Sequence, residues 1–98
     1  ISCEIIDLRT VRPLDQESIL TSVKKTNRLV ILEEAWPFGN IASEITYIVQ
    51  SKAFDYLDAP IIKINTADTP APYSPVLLAE WLPNSGDVIN AVKKVLYK

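Results

Sequence analysis

The sequence contains no histidine, no methionine, one cysteine and two glycines among its 98 residues. Without histidine, the chain cannot use imidazole as a general base, in a Ser-His-Asp or Cys-His arrangement, or as a zinc ligand. The single cysteine, Cys3, excludes an internal disulfide and fits a reducing compartment, and we expect it to be a small buried hydrophobic residue. Candidate chemistry is therefore confined to carboxylates, lysines and tyrosines, and none of these is spaced as a catalytic group.

Charge and hydropathy exclude two further classes of partner. Ten Lys and Arg residues are mixed with 12 Asp and Glu residues, so no basic stripe follows the chain and we expect no nucleic-acid partner. No apolar run approaches the roughly 20 residues that span a bilayer, so we expect no membrane partner. The hydrophobic fraction of 48% argues against disorder, and it fits either a tight core or apolar surface that meets a partner chain.

Strand and helix patterns alternate along the chain. The predicted strands are Cys3–Arg9, Leu29–Glu33 and Ile61–Thr66, and the predicted helices begin at Asp15, near Asn40, at Val76 and at Ser85. Asp15 and Ser85 are the expected helix caps, and Lys93, Lys94 and Lys98 suit the negative end of the last helix. This order predicts an α/β fold of parallel strand–helix–strand units with right-handed crossovers. Three strands make a thin sheet, so we expect at least one more strand upstream in a longer parent protein.

The continuously apolar second strand, expected to be covered on both faces, is followed by two glutamates and an aromatic loop. Glu33 and Glu34 are neighbours on an extended chain and point to opposite faces, so they are not an acid/base pair. We expect a solvated strand end or one buried, hydrogen-bonded carboxylate. The helix that follows the loop could accept an anion at its amino end, but the loop holds one glycine. Trp36 and Phe38 are therefore expected to wedge against a neighbouring chain rather than to stack on a cofactor.

The segment from 67 to 75 is rich in proline and follows the third strand. Pro70 and Pro72 stiffen the backbone, and Asp68 is expected to hydrogen-bond the backbone two residues on. Tyr73 offers a large flat surface with a polar tip, which is typical of an interface anchor. The segment is either a stiff connector or a subunit contact. The candidate subunit interface comprises Trp36, Phe38, Asp68, Pro70, Pro72 and Tyr73, and no residue is assigned to catalysis, cofactor binding or metal binding.

Four segments resemble, in order along the chain, the beta subunits of pyruvate and branched-chain 2-oxoacid dehydrogenases. Residues 4–15 resemble their "E-V-I-(D/N)-L-R-T-(I/L)-R-P-(L/M)-D", and residues 22–30 resemble "S-V-K-K-T-(N/H)-R-L-V". Residues 54–60 look like "F-D-Y-L-D-A-P", which is typical of the pyruvate enzymes, and residues 68–73 resemble "D-V-P-M-P-Y". One departure lies in residues 34–45, which have the length of the family pattern "E-G-W-P-Q-x-G-x-G-x-E-I" but carry Ala35, Asn40 and Ala42 in place of its glycines.

The resemblance implies a transketolase C-terminal-like domain over residues 1–98, which is a three-layer α/β sandwich with a mostly parallel sheet, here without its first strand and helix. Its implied role is subunit assembly in an enzyme that decarboxylates pyruvate and transfers the acetyl group to a lipoyl carrier. In this family thiamine diphosphate and magnesium lie between an upstream domain and the alpha subunit, so none is expected to be bound by residues 1–98.

The implied partners are the alpha subunit and a second beta subunit, and in some members the subunit-binding domain of the dihydrolipoyl acetyltransferase. The implied location is the bacterial cytoplasm, or alternatively the mitochondrial matrix. Two other hypotheses remain open: the equivalent domain of a branched-chain or other transketolase-superfamily enzyme, and a stand-alone flavodoxin-like binding module.

Overall fold

The computed structural model describes residues 1–97, and its helices and strands alternate as the sequence predicts. Helices predicted near Asp15, Asn40 and Val76 are confirmed to within one residue. In chain order the elements are α1 (Gln16–Thr26), β1 (Val30–Leu32), α2 (Ile41–Ala53), a short 3-10 helix (Phe54–Tyr56), β2 (Ile62–Ile64), α3 (Pro75–Trp81) and α4 (Ser85–Val95). Lys93 and Lys94 lie in the last turn of α4, whereas Lys98 lies outside the described residues.

The sheet of the described chain consists of β1 and β2, which run parallel and are joined through α2. Val30 pairs with Ile62 and Leu32 with Ile64. The predicted strand Cys3–Arg9 is wrong, since residues 1–10 form no regular element. A segment with a strand pattern forms a strand only when it pairs with a neighbouring strand, and within residues 1–97 only β1 and β2 pair. Cys3 is consequently exposed rather than buried.

Helices pack on both sides of the small sheet, which makes the domain an α/β sandwich. On one side, α1 and α2 pack together against Ile31 of β1, and Val23 and Val49 are buried there almost completely. This core consists of Ile19, Val23, Ile31, Ala42, Ile45, Val49 and Ala53. On the other side α4 packs against both strands, and its Ala91 and Val95 are buried. Leu32 of β1 is nevertheless 57% exposed on this side. The prediction that this strand is covered on both faces is therefore wrong.

Local side-chain hydrogen bonds define the ends of the helices. The Asp15 carboxylate caps α1 as predicted, accepting from the backbone N–H of Ser18 at 3.1 Å and from its hydroxyl at 2.7 Å. These bonds, the hydroxyl first, lower the pKa of Asp15. The predicted cap Ser85 is wrong, because Asn84 and Asp87 cap α4 by accepting from each other's backbone N–H, both at 3.0 Å. Ser85 is instead the first helical residue.

The segment before α1 is attached to that helix by polar contacts. The Glu4 carboxylate accepts hydrogen bonds from the side chains of Lys25 and Ser22. The Lys25 contact is the main reason that the pKa of Glu4 is lowered. Leu8 is partly buried against the main core, whereas Ile5 is 89% exposed. This segment therefore lies along the domain without joining its sheet.

Candidate subunit interface

Two loops meet beyond the carboxyl ends of β1 and β2. The first, residues 33–40, joins β1 to α2, and the second, residues 65–74, joins β2 to α3. Backbone bonds continue past the strands: the N–H of Glu33 donates to the carbonyl of Ile64 at 3.0 Å, and the N–H of Thr66 donates to the carbonyl of Ala35 at 3.0 Å. Thr66 is only 4% exposed. The two loops therefore leave the sheet as one connected unit.

A single carboxylate joins both loops to α2. Glu33 accepts from the side-chain amide of Asn65 at 2.6 Å and from the backbone N–H of Ala42 at 3.1 Å. Because the second donor lies in the first turn of α2, the chain's own carboxylate occupies the helix end where an anion could otherwise bind. Of the two expectations for this strand end, the hydrogen-bonded carboxylate is found in Glu33, which is half-buried rather than buried, while Glu34 is exposed.

The β1–α2 loop folds back on itself and leaves an aromatic ring in solvent. Asn40 donates from its side-chain amide to the carbonyl of Trp36 at 2.8 Å, and Lys63 donates to the carbonyl of Pro37 at 2.7 Å. Gly39 has a φ of 70°, a left-handed conformation that glycine adopts without strain. Phe38, at the turn, is 85% exposed. The loop is thus held by polar bonds while its phenyl ring faces outward.

The proline loop is fixed by one backbone carbonyl that accepts from two tryptophans. The carbonyl oxygen of Thr69 accepts from Nε1 of Trp36 at 2.7 Å and from Nε1 of Trp81 at 2.9 Å. Asp68 makes no hydrogen bond within residues 1–97, so the predicted bond from its side chain is wrong. The residue two positions on is Pro70, which has no N–H to donate. The turn is therefore held by the indole N–H groups of Trp36 and Trp81 and not by the carboxylate of Asp68.

The six predicted interface residues lie in these two loops, at one end of the sheet. Tyr73 is fully exposed, Trp36 is 45% exposed, Asp68 and Pro70 are exposed, and Pro72 is half-buried. Val76 and Leu77 of α3 continue the apolar surface, since both are exposed. Trp81 also lies at this end of the sheet and was not predicted to do so, although it is one of only two tryptophans in the sequence.

A shallow groove runs beside the two indoles. It has a volume of about 350 Å³ and is open to solvent. Its lining consists of Glu34, Ala35, Trp36, Asn40, Ala71 and Trp81. Across residues 1–97, no three His, Cys, Asp or Glu side chains are grouped so that they could hold a metal ion. This donor set does not fit magnesium bound to a diphosphate, which needs converging oxygen ligands.

No helix in the described part of the chain has the length and apolar character needed to cross a membrane.

The α/β sandwich agrees with comparison to known proteins. The family described as "Transketolase, C-terminal domain" matches residues 1–88, and the chain belongs to this family.

Within that family, the similar relatives are pyruvate dehydrogenase E1 component beta subunits. The Rickettsia conorii protein is 56% identical over 97 residues, which are 99% of this chain and 30% of the relative. The Rhizobium meliloti protein is 51% identical over 98 residues, covering 100% of this chain and 21% of the relative. The human mitochondrial protein is 43% identical over 97 residues, covering 98% of this chain and 27% of the relative. The chain thus spans less than a third of the length of these relatives.

Proposed function

We propose that residues 1–98 are the C-terminal assembly domain of the beta subunit of a thiamine-diphosphate-dependent pyruvate dehydrogenase. The observation that carries this proposal is the 56% identity, over 99% of the chain, to a protein named as that subunit. Such an enzyme decarboxylates pyruvate and passes the acetyl group to a lipoyl carrier. Within this proposal the domain's contribution is to hold subunits together through the exposed aromatic side chains of its two loops.

The two loops at the end of the sheet form the proposed subunit contact. Phe38 and Tyr73 are large, outward-facing aromatic side chains on backbone that is tied down by hydrogen bonds and prolines. Aromatic side chains that project from fixed backbone are typical interface anchors because little entropy is lost when they are buried. Trp36, Asp68, Pro70 and Pro72 surround them.

The proposed partners are the alpha subunit and a second beta subunit. The subunit-binding domain of the dihydrolipoyl acetyltransferase is a further candidate for the same end of the domain. The relatives come from bacteria and from mitochondria, which supports a bacterial cytoplasmic or mitochondrial matrix location. Thiamine diphosphate and magnesium belong to the complete enzyme, at a site built outside residues 1–98.

Calorimetric titration and activity assays test whether cofactor binding and catalysis lie outside residues 1–98. The complete beta polypeptide, mixed with its alpha partner, should bind thiamine diphosphate in the presence of magnesium and decarboxylate pyruvate in preference to branched-chain 2-oxoacids. Residues 1–98 alone should do neither, while retaining helical circular dichroism as a control for folding. Micromolar binding of thiamine diphosphate to residues 1–98 alone would overturn the proposal, and a preference for branched-chain substrates would reassign the enzyme.

A further inference from the structure

We propose that Trp36 and Trp81 are positioning residues for the proline loop: together they hold the Thr69 carbonyl and thereby set the direction in which Tyr73 meets the alpha subunit. This proposal rests on the proposed function of the loop as a subunit contact. We call Trp36, Trp81 and the Thr69 carbonyl the indole clamp.

The clamp joins three separate parts of the chain at one oxygen atom. Trp36 lies in the β1–α2 loop, Trp81 is the last residue of α3, and Thr69 lies in the loop between β2 and α3. The two donor–acceptor distances are 2.7 and 2.9 Å, and a carbonyl oxygen has two lone pairs, so both bonds can form at once. The position of this peptide group is therefore defined relative to both neighbouring elements.

Backbone bonds and prolines extend this restraint on either side of Thr69. The N–H of Ala67 donates to the carbonyl of Trp81 at 3.1 Å, so the start of the loop is tied to the end of α3. After Thr69, Pro70 and Pro72 each fix their own φ angle, which leaves fewer free backbone angles between Thr69 and Tyr73. The clamp restrains the peptide group from which this stiff segment departs. A change of ψ at Thr69 would swing the whole segment.

Tyr73 depends on this restraint because its own side chain has no support. It is fully exposed and makes no side-chain hydrogen bond within residues 1–97, so its position is set by the backbone alone. A partner that binds a mobile tyrosine must order it, whereas a tyrosine on a fixed loop is already placed. The clamp thus favours association by reducing the entropy that is lost on binding.

The test uses the complete beta polypeptide and its alpha partner, with the dissociation constant measured by sedimentation velocity. Trp81→Phe removes the N–H donor and keeps an aromatic ring, and Trp36→Phe does the same from the other side. Each should weaken association about three- to tenfold, which corresponds to the loss of one net hydrogen bond. Tyr97→Phe is the matched control: it removes the 3.1 Å bond from Tyr97 to the carbonyl of Asp58, outside the two loops, and should leave association unchanged.

A double-mutant cycle with Tyr73→Ala separates positioning from general stabilisation. If the clamp acts through Tyr73, Trp81→Phe should weaken association in the unsubstituted protein and have little further effect in the Tyr73→Ala background. Equal effects in both backgrounds, or an effect no larger than that of Tyr97→Phe, would overturn the clamp. If Tyr73→Ala itself leaves association unchanged, the proposed interface fails at this loop. If Tyr73→Ala weakens association and neither tryptophan variant does, only the clamp fails.

Discussion

Replacing Glu33 with alanine should destabilise the domain more than any other change to an acidic side chain at this end of the sheet. Its carboxylate accepts from Asn65 at 2.6 Å and from the N–H of Ala42 at 3.1 Å, which joins the ends of both strands to α2. Hydrogen bonds to a charged group contribute about 1.5–3 kcal/mol each. Glu33 is half-buried, so water can partly replace the lost carboxylate, and we expect a loss of about 2–3 kcal/mol for the pair.

This loss is measurable by thermal unfolding followed by circular dichroism. For a domain of this length, 1 kcal/mol shifts the midpoint by about 4–8 °C, so Glu33→Ala should melt at least 8 °C lower, roughly, than the unsubstituted domain. Glu33→Gln should show about half the effect, because its amide keeps one acceptor oxygen and presents N–H groups to the other donor. Urea titration should give the same order, with an unchanged dependence on urea concentration.

The matched control is Glu34→Ala, which removes the adjacent carboxylate. Glu34 is exposed and accepts no hydrogen bond within residues 1–97, so its removal should change stability by no more than about 0.5 kcal/mol. If Glu33→Ala and Glu34→Ala melt at the same temperature, the bridging role of Glu33 is refuted.

Three smaller predictions concern the helices. The pKa of Asp15 is lowered in the folded chain, so its carboxylate stabilises the fold above the ordinary carboxyl pKa, and this stabilisation is lost as the pH falls through the folded pKa. The melting temperatures of Asp15→Ala and of the unsubstituted domain should therefore become equal on acidification. Val49→Ala should cost about 2 kcal/mol in urea unfolding because Val49 is 0% exposed, whereas Val76→Ala, at a 71% exposed site, should be nearly neutral. Asn84→Ala should lose about 1 kcal/mol with the cap of α4, and Ser85→Ala should not; the reverse order would restore Ser85 as the cap.

Short-range patterns were the predictable part of this fold. The start of α1 follows from Asp15, and the buried residues Ala42, Ile45, Ile48 and Val49 of α2 recur at helical spacing. These features depend on residues within a few positions of one another, which a sequence displays directly. The parallel pairing of β1 and β2 agrees with the predicted order of elements, because parallel strands need a crossover connection and an α-helix usually supplies it.

Features that depend on distant partners were predicted poorly. Residues 3–9 carry a strand pattern, but pairing needs a neighbouring strand that no local pattern can supply. The acceptor of the indole clamp is the backbone carbonyl of Thr69, and every residue has such a carbonyl, so no letter of the sequence marks it. The side chain of Asp68 instead suggests a hydrogen bond to the backbone two residues on, where Pro70 has no N–H to donate. The interface residues themselves remain predictions.

Phe38→Ala combined with Tyr73→Ala, in the complete two-subunit enzyme, tests whether the two loops assemble subunits and perform no chemistry. Tyr47→Ala, at a 65% exposed aromatic residue on α2, is the control. Pyruvate turnover is measured against subunit concentration. If the loops only assemble subunits, the double variant should need at least about tenfold more protein for half-maximal activity, because interface aromatic anchors are lost. It should then reach the unsubstituted turnover rate. A turnover rate that stays low at saturating subunit concentration, or an unchanged concentration dependence, would contradict it.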